Sequence, residues 1–474
     1  MAVESPDARS TADPARLRQA IESDVIRAEG GVRVRRALAA AVREAVRGGR
    51  LAPGMRLPSS RRLAADLGVA RNTVADAYGD LVAEGWLTAR GGSGTLVTDS
   101  MITRPVPDRS AAEPSGETCY DLIPGSPDLT AFPRAAWLKA TRRALAAAPD
   151  DAFGYGDPRG RHELRAALAD HLAGARGVYT SPEHILICAG VSHGLQILSK
   201  VLAGRRARRV AIESYGPDRH RGLLAAARLE ALPLPFDPHG TDPVPPPGTD
   251  AVLLTPAHQF PLGTTLQRDR RTAVVDWARR TGGLVLDDDY DGEFQFDHRS
   301  VGALQALAPD SVVYLGTASK TLVPGLRLAW MALPPALAEE AAAAKGQIDS
   351  CEVLSQLTMA EFITSGAYGR HVRAARRRYR DRRESLVVAL AQHAPHVHAT
   401  GTAAGLHTVL SLPSGTEQHV VQSSTRQGLK VAGLSRYRHP QSQNVMGDAL
   451  VVGYGTPSDA AWPQALSALV EILS

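Results

Sequence analysis

Lysine is scarce in this chain: Lys139, Lys200, Lys320, Lys345 and Lys430 are its only five. Lys320 has the most telling neighbours. It follows the apolar run Val312 to Leu315 in a loop of hydroxyls and glycine, Gly316-Thr317-Ala318-Ser319-Lys320, and precedes Pro324-Gly325-Leu326-Arg327. An amine withdrawn from water loses its proton more readily and can attack a carbonyl carbon at neutral pH. Thr317, Ser319 and Arg327 beside it suit a phosphate group, so the chemistry indicated is imine formation next to a phosphate.

Other residues at comparable positions extend the set. Gly190-Val191-Ser192-His193-Gly194 opens a helical pattern after an apolar run, so its amides and Ser192 can hold a phosphate. Asp287-Asp288-Asp289-Tyr290 concentrates carboxylates that repel one another unless a cation is near. A protonated pyridine nitrogen would serve, with Tyr290 reaching a ring oxygen; a divalent metal ion is the alternative. His258 and Gln259 in TPAHQFPLG either flank such a ring or are ordinary loop residues.

The elements that must position these residues alternate. Ile185–Cys188, Val210–Ile212, Ala251–Leu254, Leu284–Leu286 and Val312–Leu315 are short apolar runs predicted to be strands. Helical patterns lie between them at Arg161–Ala173, His193–Leu202 and Arg268–Thr281. That order predicts an α/β domain with a mostly parallel sheet, whose ligands bind beyond the carboxyl ends of the strands. Gly190, Tyr215, His258, Asp288 and Lys320 each fall just after one of the five runs.

The first hundred residues read differently. Residues 31–97 hold eleven arginines against five acids, a net of +6, whereas the whole chain is +5. A basic module on a near-neutral body is the electrostatic pattern of a nucleic-acid binder. Val34, Leu38, Ala41, Val42, Ala45 and Val46 define one amphipathic helix ending at Gly48-Gly49. A short helix capped at Pro58-Ser59-Ser60 and a third starting at Arg71 follow, with Val74, Ala77, Tyr78 and Leu81 on the third helix's inner face. This spacing is that of a helix-turn-helix, whose second helix offers its N-terminal side chains to a major groove. Two short strands joined by Gly91-Gly92-Ser93-Gly94 complete the module, with bare backbone that can approach phosphates. From Asp99 to Thr118, prolines, serines and glycine without apolar periodicity predict an extended tether.

Composition excludes other classes. No apolar stretch approaches the roughly 20 residues of a membrane span, and no basic start followed by an apolar run indicates export. Cys119, Cys188 and Cys351 are too scattered for a disulfide framework or metal cluster, which favours the cytoplasm.

The stretch LPSSRRLAADLGVARNTVADAYGDLVAEGWLTARGGSGTLV resembles the winged helix-turn-helix of GntR-type regulators. The resemblance implies that Arg61, Arg71, Asn72, Thr73, Gly91 and Gly92 face double-stranded DNA. YGDPRG, AGVSHG, TPAHQFPLG, DDDYDGEF and GTASKTLVPGLR, in this order, resemble the fold-type I, class I aminotransferases that use pyridoxal 5'-phosphate. The fusion is similar to the MocR family of transcriptional regulators, with a DNA module at 31–98, a linker at 99–118 and an effector domain at 119–474. Lys320 would then form the internal aldimine, Asp288 would pair the pyridine nitrogen and Tyr290 the ring hydroxyl. Val191, Ser192, Thr317, Ser319 and Arg327 would hold the phosphate, His258 would lie by the ring, and Tyr155 would enter the pocket of a second subunit in a homodimer.

Two departures from the aminotransferase pattern stand out. Proline occupies the place of the aromatic residue that stacks on the ring, in Ser214-Tyr215-Gly216-Pro217, so either Tyr215 moves in or the ring lacks that cover. The C-terminal arginine for a substrate carboxylate is missing from DALVVGYG, leaving Arg436 or Arg438, with Arg219 as a second cation for an amine-bearing effector. The expected function is a regulator that senses the cofactor, or an amino compound through it; the alternative is a working aminotransferase with a DNA-binding appendage.

Overall fold

The computed structural model describes residues 31–90, 94–98, 120–296, 301–346, 351–443 and 445–474. The chain divides into two compact units, Met1–Gly116 and Glu117–Ser474.

In the smaller unit, helices α1 (Gly31–Arg47), α2 (Ser60–Leu67) and α3 (Arg71–Ala83) precede an antiparallel hairpin of β1 (Leu87–Arg90) and β2 (Gly94–Val97). Ser59 caps α2 by accepting a hydrogen bond from Arg62 N, and Gly68 ends it in the left-handed conformation at φ 66°. The apolar faces read from the sequence meet in one core of Leu38, Val42, Leu63, Val74, Ala77, Leu81 and Val97. Tyr78 donates its buried hydroxyl to Pro58 O (3.1 Å), tying α3 to the turn before α2. The linker from Asp99 to Thr118, and Gly91 and Gly92 of the hairpin turn, lie outside the described residues.

The larger unit is built on a seven-stranded sheet. Its strands are β3 (Ile185–Cys188), β4 (Arg209–Glu213), β5 (Glu230–Leu234), β6 (Ala251–Leu254), β7 (Leu284–Asp288), β8 (Val312–Thr317) and β9 (Ala329–Ala332), in the order β3-β9-β8-β7-β6-β4-β5. All neighbours run parallel except β9, which is antiparallel to β3 and β8. Helices α4 (Arg134–Ala147), α5 (His162–Arg176), α6 (Val191–Gly204), α7 (Asp218–Ala226), α8 (Arg268–Thr281) and α9 (Pro335–Lys345) precede the long α10 (Val353–Thr364) and α11 (Ala367–His393) pair. Both faces of the sheet are covered, which is why its strands are apolar without alternation. Leu186, Val210, Leu253, Leu286, Val313 and Met331 face α6 and α9. Ile187, Tyr314 and Trp330 face the opposite core with α5. A smaller antiparallel sheet near the C-terminus, built around Thr408–Ser411 and Ala449–Val452, supports Arg436 and Tyr437 beside it.

All five strands expected from the sequence are present. The two missed were β5 and β9. β5 carries Pro233 at the sheet edge, where a missing backbone donor is tolerated, and β9 lies between the 3-10 helix Pro324–Leu326 and α9.

The three consecutive acids are resolved by strand alternation. Asp289 receives two hydrogen bonds from Arg176, at 2.6 and 3.0 Å, from the last turn of α5. Asp287 accepts from Leu304 N at 2.8 Å and faces the Arg271 guanidinium, yet burial pushes its carboxyl up to about 7. Asp288, between them, points the other way, and its Oδ1 has no partner. The Arg176–Asp289 pair is almost wholly enclosed, with both side chains 1% exposed. Arg176→Met is therefore expected to cost about 3–5 kcal/mol of stability, because it strands a buried carboxylate. Adding Asp289→Leu should recover most of that loss; chemical denaturation of the single and double variants measures both.

Candidate functional site

A cavity of about 520 Å³ opens beyond the carboxyl ends of β3, β4, β6, β7 and β8. Its walls include Val191, Ser192, Asp288, Tyr290, Thr317, Ser319, Lys320 and Arg327, eight of the ten residues named from sequence for a cofactor. Arg219 and Arg436 line it as well; Arg438 is not part of the wall.

One end of the cavity is made for an anion. Gly190, at φ 93°, turns the chain from β3 into α6, and a Cβ there would fall 2.7 Å from Arg327 Nη2. Only glycine lets the guanidinium lie against the first turn of a fourteen-residue helix. Arg327 is itself in the left-handed region at φ 51° and donates to Ala189 O at 2.6 Å. Thr317 caps the helical turn Ala318–Thr321 by accepting from Ser319 N (3.1 Å), and its hydroxyl donates to Ser319 Oγ at 3.0 Å. Hydroxyls, amides and a guanidinium thus converge.

At the other end stand Lys320 and Asp288. Lys320 Nζ donates to Gly125 O, a carbonyl 195 positions away in sequence. Burial first, then the nearby Arg219 cation, lower the Lys320 amine to about 8 against the opposing pull of Asp288 and Asp291. Burial pushes the Asp288 carboxyl up to about 7 against the pull of Arg219 and Lys320. An amine that holds its proton less tightly than an exposed lysine and a buried carboxylate oxygen without a partner line the same cavity.

Two residues named from sequence lie elsewhere. His258 is 1% exposed and is not part of the cavity wall; it sits behind Tyr290, whose hydroxyl is 3.2 Å from His258 Nδ1. Tyr155 is fully exposed on the surface of the chain. Tyr215 is fixed: its hydroxyl accepts from Met446 N at 2.9 Å and its ring packs with Leu262 and Val409. Tyr215 and Pro217 both lie on the cavity wall.

Sequence reasoning missed Gly125, Glu213, His220 and His407, all cavity residues. Glu213 ends β4 as Asp288 ends β7, and that position was a usable signal. Its carboxyl accepts from Thr255 Oγ1 (2.5 Å) and Thr241 Oγ1 (3.2 Å), and burial pushes it up to about 7. Gly125 and His407 gave no signal, because long-range packing alone brings them in.

In the smaller unit, Arg71 and Asn72 are exposed at the start of α3 and Thr73 is half-buried. Arg61 is exposed on α2. Part of the module's positive charge is spent internally: Arg35 grips Asp80 at 2.7 and 2.5 Å, and Arg43 grips Glu84 with two bonds of 2.8 Å. Among the described residues no acid pairs with Arg61 or Arg71, so both charges remain uncompensated.

Comparison with known proteins agrees with both units. Residues 34–97 match the model of the gntR family of bacterial regulatory proteins, and residues 125–431 match aminotransferase class I and II. The chain is 34% identical to the HTH-type pyridoxine biosynthesis transcriptional regulator PdxR of Corynebacterium glutamicum, over 84% of this chain and 87% of that protein. It is 31% identical to the probable rhizopine catabolism regulatory protein MocR of Rhizobium meliloti, over 90% of this chain and 92% of the relative. Among solved structures, the kynurenine aminotransferase of Pyrococcus horikoshii shares the fold of the larger unit, with a TM-score of 0.66 at 22% identity over 76% of this chain and 91% of the enzyme. With relatives matched along most of their length and both units recognised in order, the chain belongs to the MocR-type family of HTH transcriptional regulators, in which a GntR module precedes an aminotransferase-like domain.

Proposed function

We propose that this protein is a pyridoxal 5'-phosphate-dependent regulator that binds operator DNA through its GntR module and senses the cofactor, or an amino compound through it, at Lys320. The observation that carries the reading is Asp288 Oδ1, a buried carboxylate oxygen without a partner in the same cavity as Lys320. An unpaired buried carboxylate is costly, and a cationic ring nitrogen is the partner it lacks. Ser192, Thr317, Ser319 and Arg327, with the first amides of α6, would hold the phosphate, and Tyr290 would meet the ring hydroxyl. The bound group supplies an electrophilic carbon conjugated to a cationic ring. Lys320 supplies the attacking amine, and burial lowers its proton affinity so that more of it is free near neutral pH than for an exposed lysine.

Arg219 and Arg436 suit the carboxylate of an amine-bearing effector. Neither occupies the strand position that an amino-acid aminotransferase uses, and Tyr215, although on the cavity wall, is pinned by the bond its hydroxyl accepts from Met446 N. Both features favour sensing over efficient turnover, which needs reacting groups in near-attack geometry. The working aminotransferase remains the competing reading, since Lys320, Asp288 and Tyr290 would serve it equally.

Leu138 and Leu145 on α4, with Phe153 and Tyr155 after it, leave large apolar side chains exposed. They support a homodimer in which Tyr155 meets the partner's cavity, and two DNA modules would then read paired half-sites. Among the described residues no helix is long and apolar enough to cross a membrane. DNA binding places the regulator in the cytoplasm.

Mixed with pyridoxal 5'-phosphate, the protein should develop a visible absorption band. Its rate of appearance should rise roughly tenfold per pH unit, following the free amine, and level off above about 8, where Lys320 has lost its proton. Lys320→Ala should form no band at any pH, as stopped-flow absorbance will show.

Gel-shift titration of apo protein, cofactor-loaded protein and Lys320→Ala tests the function. Operator affinity should differ among them by about 1–3 kcal/mol. Equal affinities in all three, with rapid conversion of an amino acid to its keto acid, would establish the enzyme instead.

Arg71→Ala should weaken binding to the operator by about 1–3 kcal/mol and relax its sequence preference, if Arg71 reads a base edge. Titration against operator and scrambled duplexes at fixed salt checks both effects.

A further inference from the structure

Behind the cavity wall at Tyr290 lies a polar layer with no part in the reading above. His258 and Asp291 are almost fully buried, and His258 Nδ1 is 2.8 Å from Asp291 Oδ2. The Tyr290 hydroxyl is 3.2 Å from the same Nδ1. The imidazole is clamped by backbone: a Cβ on Gly405, at φ 71°, would fall 2.5 Å from Nδ1, and one on Gly263 would fall 3.3 Å from Nε2. The His407 ring packs at 4.9 Å, with its own Nε2 3.1 Å from Pro261 O. Donors of His258, Asp291 and His407 lie within 4.8 Å of one another. Hydrogen bonding accounts for that closeness, since His258 Nδ1 is committed to Asp291 and His407 Nε2 to a carbonyl.

The position of one proton follows. An ionised carboxylate only accepts, so in the neutral imidazole Nδ1 carries the proton and donates it to Asp291. Nδ1 then has no lone pair for the Tyr290 hydroxyl, whose oxygen faces an N–H instead. His258 Nε2, buried and without a partner, is left as a lone pair rather than an orphaned N–H, the less costly arrangement. Burial first, then the charges of Asp291 and Asp288, keep the phenol protonated. Asp291 is the other acceptor near the phenol, and its carboxylate has room for a second hydrogen bond besides the one from Nδ1, so a group bound in the cavity competes with Asp291 for the phenol proton. With His258 Nδ1 a donor, the phenol proton cannot go to the imidazole, and an acceptor in the cavity that Tyr290 lines can draw it from the Asp291 side.

We propose that Asp291 and His258 are positioning residues: Asp291 fixes the His258 tautomer, and the His258 N–H turns the Tyr290 proton into the cavity, toward the ring oxygen of a bound cofactor. This rests on the cofactor reading above. It assigns His258 a place one layer behind the ring rather than beside it.

The test is the pH midpoint of the visible band of the full-length protein loaded with pyridoxal 5'-phosphate. The charged and titratable groups around this layer are His407, Asp288, Glu213, Lys320 and Arg219, and all are retained in every variant. Tyr290→Phe defines the shift caused by losing the phenol proton. His258→Leu is expected to move the midpoint in the same direction by a comparable amount, and to add nothing in the Tyr290→Phe background. His258→Asn places an amide N–H where Nδ1–H stood and should restore a midpoint close to wild type. Asp291→Asn, which keeps the volume, should give a smaller shift of the same sign, and it carries the test if His258→Leu fails to fold by circular dichroism. A wild-type midpoint in His258→Leu, or an additive shift in the double variant, overturns the relay; so does an unchanged midpoint in Asp291→Asn when that variant carries the test. If wild-type protein formed no visible band, the cofactor reading itself would fall, a result read before any midpoint is measured.

Discussion

Charge buried at the carboxyl edge of the central sheet is the constraint on which the larger unit depends. β7 delivers three acids in succession to a place from which water is largely excluded. Burying carboxylates is unfavourable unless each finds a donor or a cation. Arg176 from α5 satisfies Asp289, while Leu304 N and the Arg271 guanidinium face Asp287. Asp288 alone turns toward the cavity, where Arg219 and Lys320 only partly balance it. The acids on either side are held by the scaffold, so the one between them is held rigidly while remaining available to a ligand.

The same logic runs through the rest of the cavity. Lys320 is set against Gly125 O, and burial together with the neighbouring Arg219 loosens its hold on its proton. Arg327 is pressed onto the turn at Gly190, where any side chain would displace it. Tyr290 is backed by His258 and Asp291 rather than by solvent. Contacts with neighbouring protein groups orient Lys320, Arg327 and Tyr290, which fixes their geometry before anything binds.

The smaller unit follows a different economy of charge. Arg35 and Arg43 brace α1 against the Asp80 and Glu84 end of α3, and their charges are locally cancelled. Among those left uncompensated are Arg61 on α2 and Arg71 at the start of α3, where a helix-turn-helix meets its groove. A count of arginines locates the basic segment, but ion pairing decides which of them are available to phosphates or bases.

Much of this was legible in the sequence, because the signals were local. Apolar runs at helix-length intervals determine a covered parallel sheet, since a strand buried on both faces leaves no room for alternation. Residues that follow those runs must lie at the carboxyl edge, so Lys320, Asp288, Tyr290, Ser192 and Arg327 could be grouped before any coordinates. Capping and inward-facing spacing likewise determined the three helices of the smaller unit. Tertiary structure decided what depends on partners distant in sequence. It placed His258 behind Tyr290 instead of on the cavity wall, because Asp291 and the backbone at Gly405 hold its ring there. It held Tyr215 through Met446, 231 positions away, and brought in Gly125 and His407. It also chose Arg436 over Arg438 for the cavity wall. Spacing fixes which edge of a sheet a residue reaches; the direction its side chain takes there is set by the donors, acceptors and steric limits that packing assembles around it.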